Sequence, residues 1–144
     1  MNRASFAAGC FWDVEARFRA LPGVLATAVG FAGGHAADPT YEEVCAGGTG
    51  HAEVVLIEYD PAVTGYDALL DAFWDLLPPG APAGRGQYRA VIFAHDDAQQ
   101  AAAQASVQAQ RRRVAIEPFG DFWPAEDEHQ QFREKQAGGR LSMP

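Results

Sequence analysis

Strand-type and helix-type apolar patterns alternate along this chain, and the alternation limits what it can fold into. Residues 3–8 are small and apolar around Phe6, as in a short buried strand. Phe11, Val14, Phe18 and Leu21 then recur at steps of three and four until Pro22-Gly23, the stripe of an amphipathic helix with a stop signal. Val24 to Ala32 and Glu53 to Tyr59 read as strands, with one helical turn from Thr40 to Cys45 between them. Tyr66, Leu69, Leu70, Phe73, Trp74 and Leu77 share one face of a further helix. Tyr88 to Ala94 reads as a strand. Asp96-Asp97 opens an Ala/Gln-rich helix that ends at Arg111-Arg112-Arg113, acid at its start and base at its end, as the helix dipole favours. Val114 to Pro118 is a last strand and Ala125 to Lys135 a last helix. The 78–86 stretch is a Pro/Gly/Ala loop, and residues 136–144 are expected to fray. Strands interleaved with helices over 144 residues predict a single domain, 1–144, of α/β class: a sheet covered by helices.

Charge narrows the partners. Eleven Lys and Arg against nineteen Asp and Glu give a net charge of −8, which disfavours nucleic acid and anionic membrane surfaces. No apolar run approaches the roughly 18 residues of a membrane span. Ala7-Ala8-Gly9-Cys10 resembles a lipoprotein cleavage box, but the apolar stretch before it is too short for a signal. Two cysteines, Cys10 and Cys45, do not make a secreted disulfide framework. The expectation is a cytoplasmic protein with both thiols free.

Cys10 is the sharpest chemical feature. It stands where a strand hands over to a helix, so the helix dipole and unpaired N–H groups favour its thiolate. Phe11 and Trp12 follow at once and offer an aromatic wall for an apolar group of a substrate. The competing reading is a cysteine in a core turn whose aromatic neighbours only pack. Glu53 opens a strand within Gly50-His51-Ala52-Glu53; buried near Cys10, its carboxyl would have a raised pKa and could donate a proton, and otherwise it is a solvated strand-edge acid. Tyr41 and Tyr88 could add hydroxyl donors, or be packed tyrosines with wet tips. The four histidines show no metal-ligand spacing and C-x-x-C does not occur, so neither a metal nor a cofactor is expected.

Several motifs together resemble the methionine sulfoxide reductase A family: Gly9-Cys10-Phe11-Trp12, Pro22-Gly23-Val24, Gly30-Phe31-Ala32-Gly33-Gly34, Pro39-Thr40-Tyr41-Glu42-Glu43-Val44-Cys45, Gly50-His51-Ala52-Glu53-Val54, Pro124-Ala125-Glu126-Asp127 and His129-Gln130-Gln131. They occur in the family's order over nearly the whole chain. The resemblance implies a two-layer α+β sandwich with a ferredoxin-like mixed sheet. It also implies reduction of methionine-S-sulfoxide, free or in proteins, with Cys10 as nucleophile and Glu53 as acid. Phe11 and Trp12 would enclose the methyl group, and Tyr41 and Tyr88 would bind the oxygen. Cys10 would be left as sulfenic acid.

Two departures bear on that expectation. Leu77-Pro78-Pro79-Gly80 and the acid-free stretch to Gly86 replace a longer family loop that carries an active-site Asp. This leaves open an enzyme of the same chemistry on another small sulfoxide or oxidised sulfur compound, or a catalytically weakened binding relative. Many members also have resolving cysteines near the C-terminus, and none follows Cys45 here. The chain reads as a monomeric one-cysteine enzyme reduced by an external thiol: thioredoxin, glutaredoxin or a low-molecular-weight thiol. The rival is that Cys45 resolves Cys10.

Overall fold

The elements follow the local patterns closely. A computed structural model describes residues 2–77 and 86–136. Its strands are β1 (Asn2–Ala8), β2 (Val24–Ala32), β3 (Ala52–Tyr59), β4 (Ala90–Ala94), β5 (Ala115–Pro118) and β6 (Phe122–Pro124). Its helices are α1 (Phe11–Arg19), α2 (Tyr41–Ala46), α3 (Tyr66–Leu76) and α4 (Asp97–Gln110), with 3-10 turns at Gly86–Tyr88 and Asp127–His129 and helical residues at 132–136. The expected loop at 78–85 and the tail from 137 lie outside the described residues. Among the described residues no helix is long and apolar enough to cross a membrane.

The six strands form one mixed sheet in the order β5-β4-β1-β3-β2-β6. All neighbours are antiparallel except β4 and β5. The connection β1-α1-β2 steps over β3, and β3-α3-β4 steps over β1, so the two crossovers interleave. Strand alternation then sorts the side chains. Phe6, Val55, Ile57 and Ile92 face the helices with Phe11, Val14, Phe18, Leu69 and Phe73. Phe6 lies at the centre, its ring 5.2 Å from Phe18 and 5.4 Å from Phe73. The opposite face carries Ala7, Ala32, Ala52, Val54, Val91 and Phe93, backed by Phe119 and Phe122. The result is an α/β domain in two layers.

This strand order gathers the chemistry. Ala8, at the end of β1, pairs with Ala90 at the start of β4, and Phe6 pairs with Val55 two residues beyond Glu53. The start of α1, the start of β3 and the turn before β4 therefore meet at one end of the sheet.

Three expectations are corrected. Tyr88 lies in a 3-10 turn, not a strand, because Arg89 folds back to donate to the Gly86 carbonyl at 2.9 Å. β6 was not expected; three residues that include a proline carry too little pattern to read. The last helix does not run unbroken from Ala125. Gln130 bonds the backbone of Val29 at 2.8 Å in both directions, and Gln131 takes a positive φ of 51° to reach Glu15, so side-chain anchoring on β2 and α1 overrides helix propensity.

Candidate active site

Gly9 makes the turn from β1 into α1. Its φ of +98° is one that residues with a Cβ rarely adopt, although a Cβ there would meet no atom within 4 Å; conformation, not space, selects glycine. Cys10 follows as the N-cap of α1, with an extended backbone and its side chain left out of the cap. The helix start does favour the thiolate through the N–H groups of Trp12 and Asp13. Burial is nevertheless the largest influence, and with the nearby carboxylates of Glu53 and Asp13 it pushes the Cys10 thiol up. The helix start is thus outweighed by burial at Cys10.

Glu53 is fully buried beside this turn. Its Oε1 accepts the Phe11 N–H at 3.2 Å and its Oε2 accepts the Gln87 amide at 2.8 Å. Burial holds the Glu53 carboxyl above the usual carboxylate range, and the two donors oppose it. Glu53 is therefore the buried acid of the sequence reading, not the strand-edge one. Neighbouring His51 is structural: its Nδ1 accepts the Gly34 N–H at 3.0 Å and its Nε2 lies 2.6 Å from the Ala36 carbonyl, pinning the loop after β2.

α2 is short but well capped. Thr40 and Glu43 form a reciprocal capping box. Tyr41 and Cys45, four residues apart, lie on one face of it. Burial, followed by the Cys45 sulfur, raises the Tyr41 phenol. Burial also raises the Tyr88 phenol, with the charges of Glu53, Cys45 and Cys10 acting the same way and the Tyr41 hydroxyl opposing. Tyr41, Tyr88, Cys10 and Glu53 are thus brought together. Cys45 joins them at the rim, its Sγ 3.3 Å from the Gln87 amide.

Phe11 is fully covered, its ring 6.0 Å from Tyr41 and 5.8 Å from His129. Trp12 is half-buried and stacks on Phe132 at 3.9 Å. Its indole N–H donates to His129 Nδ1 at 3.1 Å, and the His129 ring stacks on Tyr41 at 4.3 Å. Sequence reading singled out neither His129 nor Gln87 as a site residue. His129 stands in one of the motifs quoted above, but contacts across 117 and 34 residues leave no local periodicity that would mark either residue.

Glu126, Glu128 and His129 bring three possible ligand atoms within 4.8 Å of one another. The donor set does not fit a metal as it stands. Nδ1 receives the indole hydrogen, so the neutral ring carries its proton on Nε2 and offers no free lone pair.

The family model described as peptide methionine sulfoxide reductase matches residues 2–143. The peptide methionine sulfoxide reductase MsrA of Methanoculleus marisnigri is 52% identical over 153 residues, covering 97% of this chain and 93% of that protein. The MsrA of Methanothermobacter thermautotrophicus is 48% identical, covering 93% and 87%. Among solved structures, methionine sulfoxide reductase A of Corynebacterium diphtheriae superposes with a TM-score of 0.82 at 32% identity, over 94% of this chain and 74% of that one. Reduced Mxr1 of Saccharomyces cerevisiae gives 0.79 at 27% identity, over 94% and 86%.

Proposed function

The chain belongs to the peptide methionine sulfoxide reductase family, and from that premise we propose that it reduces methionine-S-sulfoxide, free or in proteins, through a sulfenic acid on Cys10. The observation that carries this reading is the mooring of the buried Glu53 carboxyl to the first turn of the helix that Cys10 caps. A nucleophile and an acid are thereby held side by side.

The proton and electron count closes on these two residues. The step needs one proton on the Cys10–Glu53 pair, and burial is the main cause that raises both groups. The reactive form has that proton on Glu53 and the thiolate on Cys10. The Cys10 sulfur attacks the sulfoxide sulfur, and the oxygen takes the Glu53 proton as the S–O bond weakens. The oxygen ends on Cys10 as S–OH, and the substrate leaves as methionine, reduced by two electrons. Tyr41 and Tyr88 donate to the oxygen while it carries charge. Trp12 supplies the wall for the methyl group, with Phe11 as the floor beneath.

An external thiol then attacks the Cys10 sulfenic acid, forming a mixed disulfide and releasing water, and a second thiol frees Cys10 as the thiol and leaves the reductant as a disulfide. Thioredoxin, glutaredoxin or a small thiol each suits this step, and a chain with only two cysteines supports an outside reductant. We read the protein as a cytoplasmic monomer. We also read strands β4-β1-β3-β2, with their two split crossovers, as the ferredoxin-like arrangement.

A reductase assay with dithiothreitol on separated epimers tests the function. The S epimer of methionine sulfoxide is reduced and the R epimer is not. No reduction of either epimer contradicts the proposal.

A further inference from the structure

Gln87 contacts two groups of the site at once. Its Nε2 lies 2.8 Å from Glu53 Oε2 and 3.3 Å from Cys45 Sγ. A carboxamide nitrogen carries two hydrogens, one for each acceptor. With Glu53 ionised, the reversed amide would set its carbonyl oxygen against the carboxylate, so the two acceptors together fix which end of Gln87 faces Glu53. The base of the side chain is also fixed. Arg89 ties the turn that carries Gln87 to the carbonyls of Gly86 at 2.9 Å and Gly50 at 3.0 Å.

We propose that Gln87 is a positioning residue for Glu53, and that the Cys45 sulfur holds the Gln87 amide in its donating orientation. The inference deepens, and rests on, the reading of Glu53 as the proton donor. With the Phe11 N–H on Oε1 and Gln87 on Oε2, the carboxyl is tethered at both oxygens and aimed from two sides. A donor on Oε2 also favours the ionised form and so opposes burial, which keeps Glu53 able to release its proton. The titratable groups that face Glu53 are Cys10 from the start of α1, Tyr41 and Cys45 from α2, and Tyr88 from the turn before β4. Cys10, Tyr41 and Tyr88 each feel the Glu53 charge, whereas Glu53 itself is raised by burial and lowered by the Gln87 and Phe11 donors. Cys45 acquires a role here that does not involve resolving Cys10.

The pH dependence of kcat/KM reads the free protein, and its acid limb follows the second protonation of the Cys10–Glu53 pair. Gln87→Met keeps the length of the side chain and removes the donor; the acid limb moves to higher pH. Cys45→Ala moves it in the same direction by less. A residue that merely propped the turn would lower the rate at every pH and leave the limb in place. A carbon-13 NMR titration of the Glu53 carboxyl in both variants reads the same displacement without turnover. A limb and a carboxyl titration unmoved in both variants overturn the proposal. A wild-type protein that reduces no sulfoxide refutes the proposed function instead, and the NMR titration then decides this inference alone.

Discussion

The Phe11 backbone N–H donates to Glu53 Oε1 at 3.2 Å, so the acid on β3 is moored to the first turn of the helix that Cys10 caps. Forty-two residues separate the two groups in the chain. The strand order brings them together, because β3 runs beside β1 with its first residues level with the end of β1.

Glu53→Gln should slow the reductase step by roughly 10²–10⁴-fold, the usual contribution of a positioned general acid. It should also remove the acid limb from the kcat/KM profile, leaving a rate that climbs with the Cys10 thiolate. The sign for stability follows from burial. The folded protein holds the Glu53 proton to higher pH than the unfolded chain, so this stabilisation is full below the ordinary carboxylate range and is lost as pH rises through the raised value. The variant, neutral throughout, lacks that slope. Stopped-flow kinetics and denaturant titrations across pH check both expectations.

His129→Phe keeps a ring against Tyr41 but leaves the Trp12 indole N–H without its acceptor. A lost buried hydrogen-bond partner costs about 1–3 kcal/mol. Thermal unfolding should show that loss, and kcat/KM for a methyl sulfoxide should fall more than for a bulkier alkyl sulfoxide as Trp12 loosens. An unchanged ratio of the two substrates would mean that the ring contacts with Phe132, Tyr41 and Arg133 suffice to fix the indole.

Glu15, 1% exposed, accepts from the Thr27 hydroxyl at 2.6 Å, the Gln131 N–H at 2.8 Å and the Gln131 amide at 2.9 Å. It thereby anchors the segment that carries His129. Glu15→Gln turns one acceptor into a donor facing donors and should destabilise the fold by roughly 1.5–3 kcal/mol, since charge-assisted bonds are lost. Denaturant unfolding measures this. Wild-type stability in the variant would show that the anchor is redundant.

Much of this molecule is written locally. The Pro22-Gly23 stop, the stripe Leu69-Leu70-Phe73-Trp74 and the β-branched run Val54-Val55-Ile57 each select an element before any tertiary contact forms. The positions of Cys10 and Glu53, a thiol at a strand-to-helix junction and a carboxyl at a strand start, can be read from pattern, but pattern alone leaves a packed thiol and a solvated acid open, and only the family resemblance pairs the two. What lies outside local pattern was not legible. The raised Cys10 thiol depends on burial and on a carboxylate 43 residues away in the chain. The grip of His129 on Trp12 and of Gln87 on Glu53 depends on which strands become neighbours. The break at Gln131 arises because its side chain finds Glu15.

The central claim is that Cys10 itself takes the oxygen, and a single-turnover measurement tests it most directly. Reduced protein is mixed with one equivalent of methionine-S-sulfoxide in the absence of other thiols, methionine is quantified, and dimedone adducts are mapped by mass spectrometry. One equivalent of methionine with dimedone on Cys10 is the expected result, and Cys10→Ser, folded but with a far weaker nucleophile, should give neither. Methionine formed by the serine variant, or a Cys10–Cys45 disulfide that forms in the wild type before dimedone can react, would contradict the account.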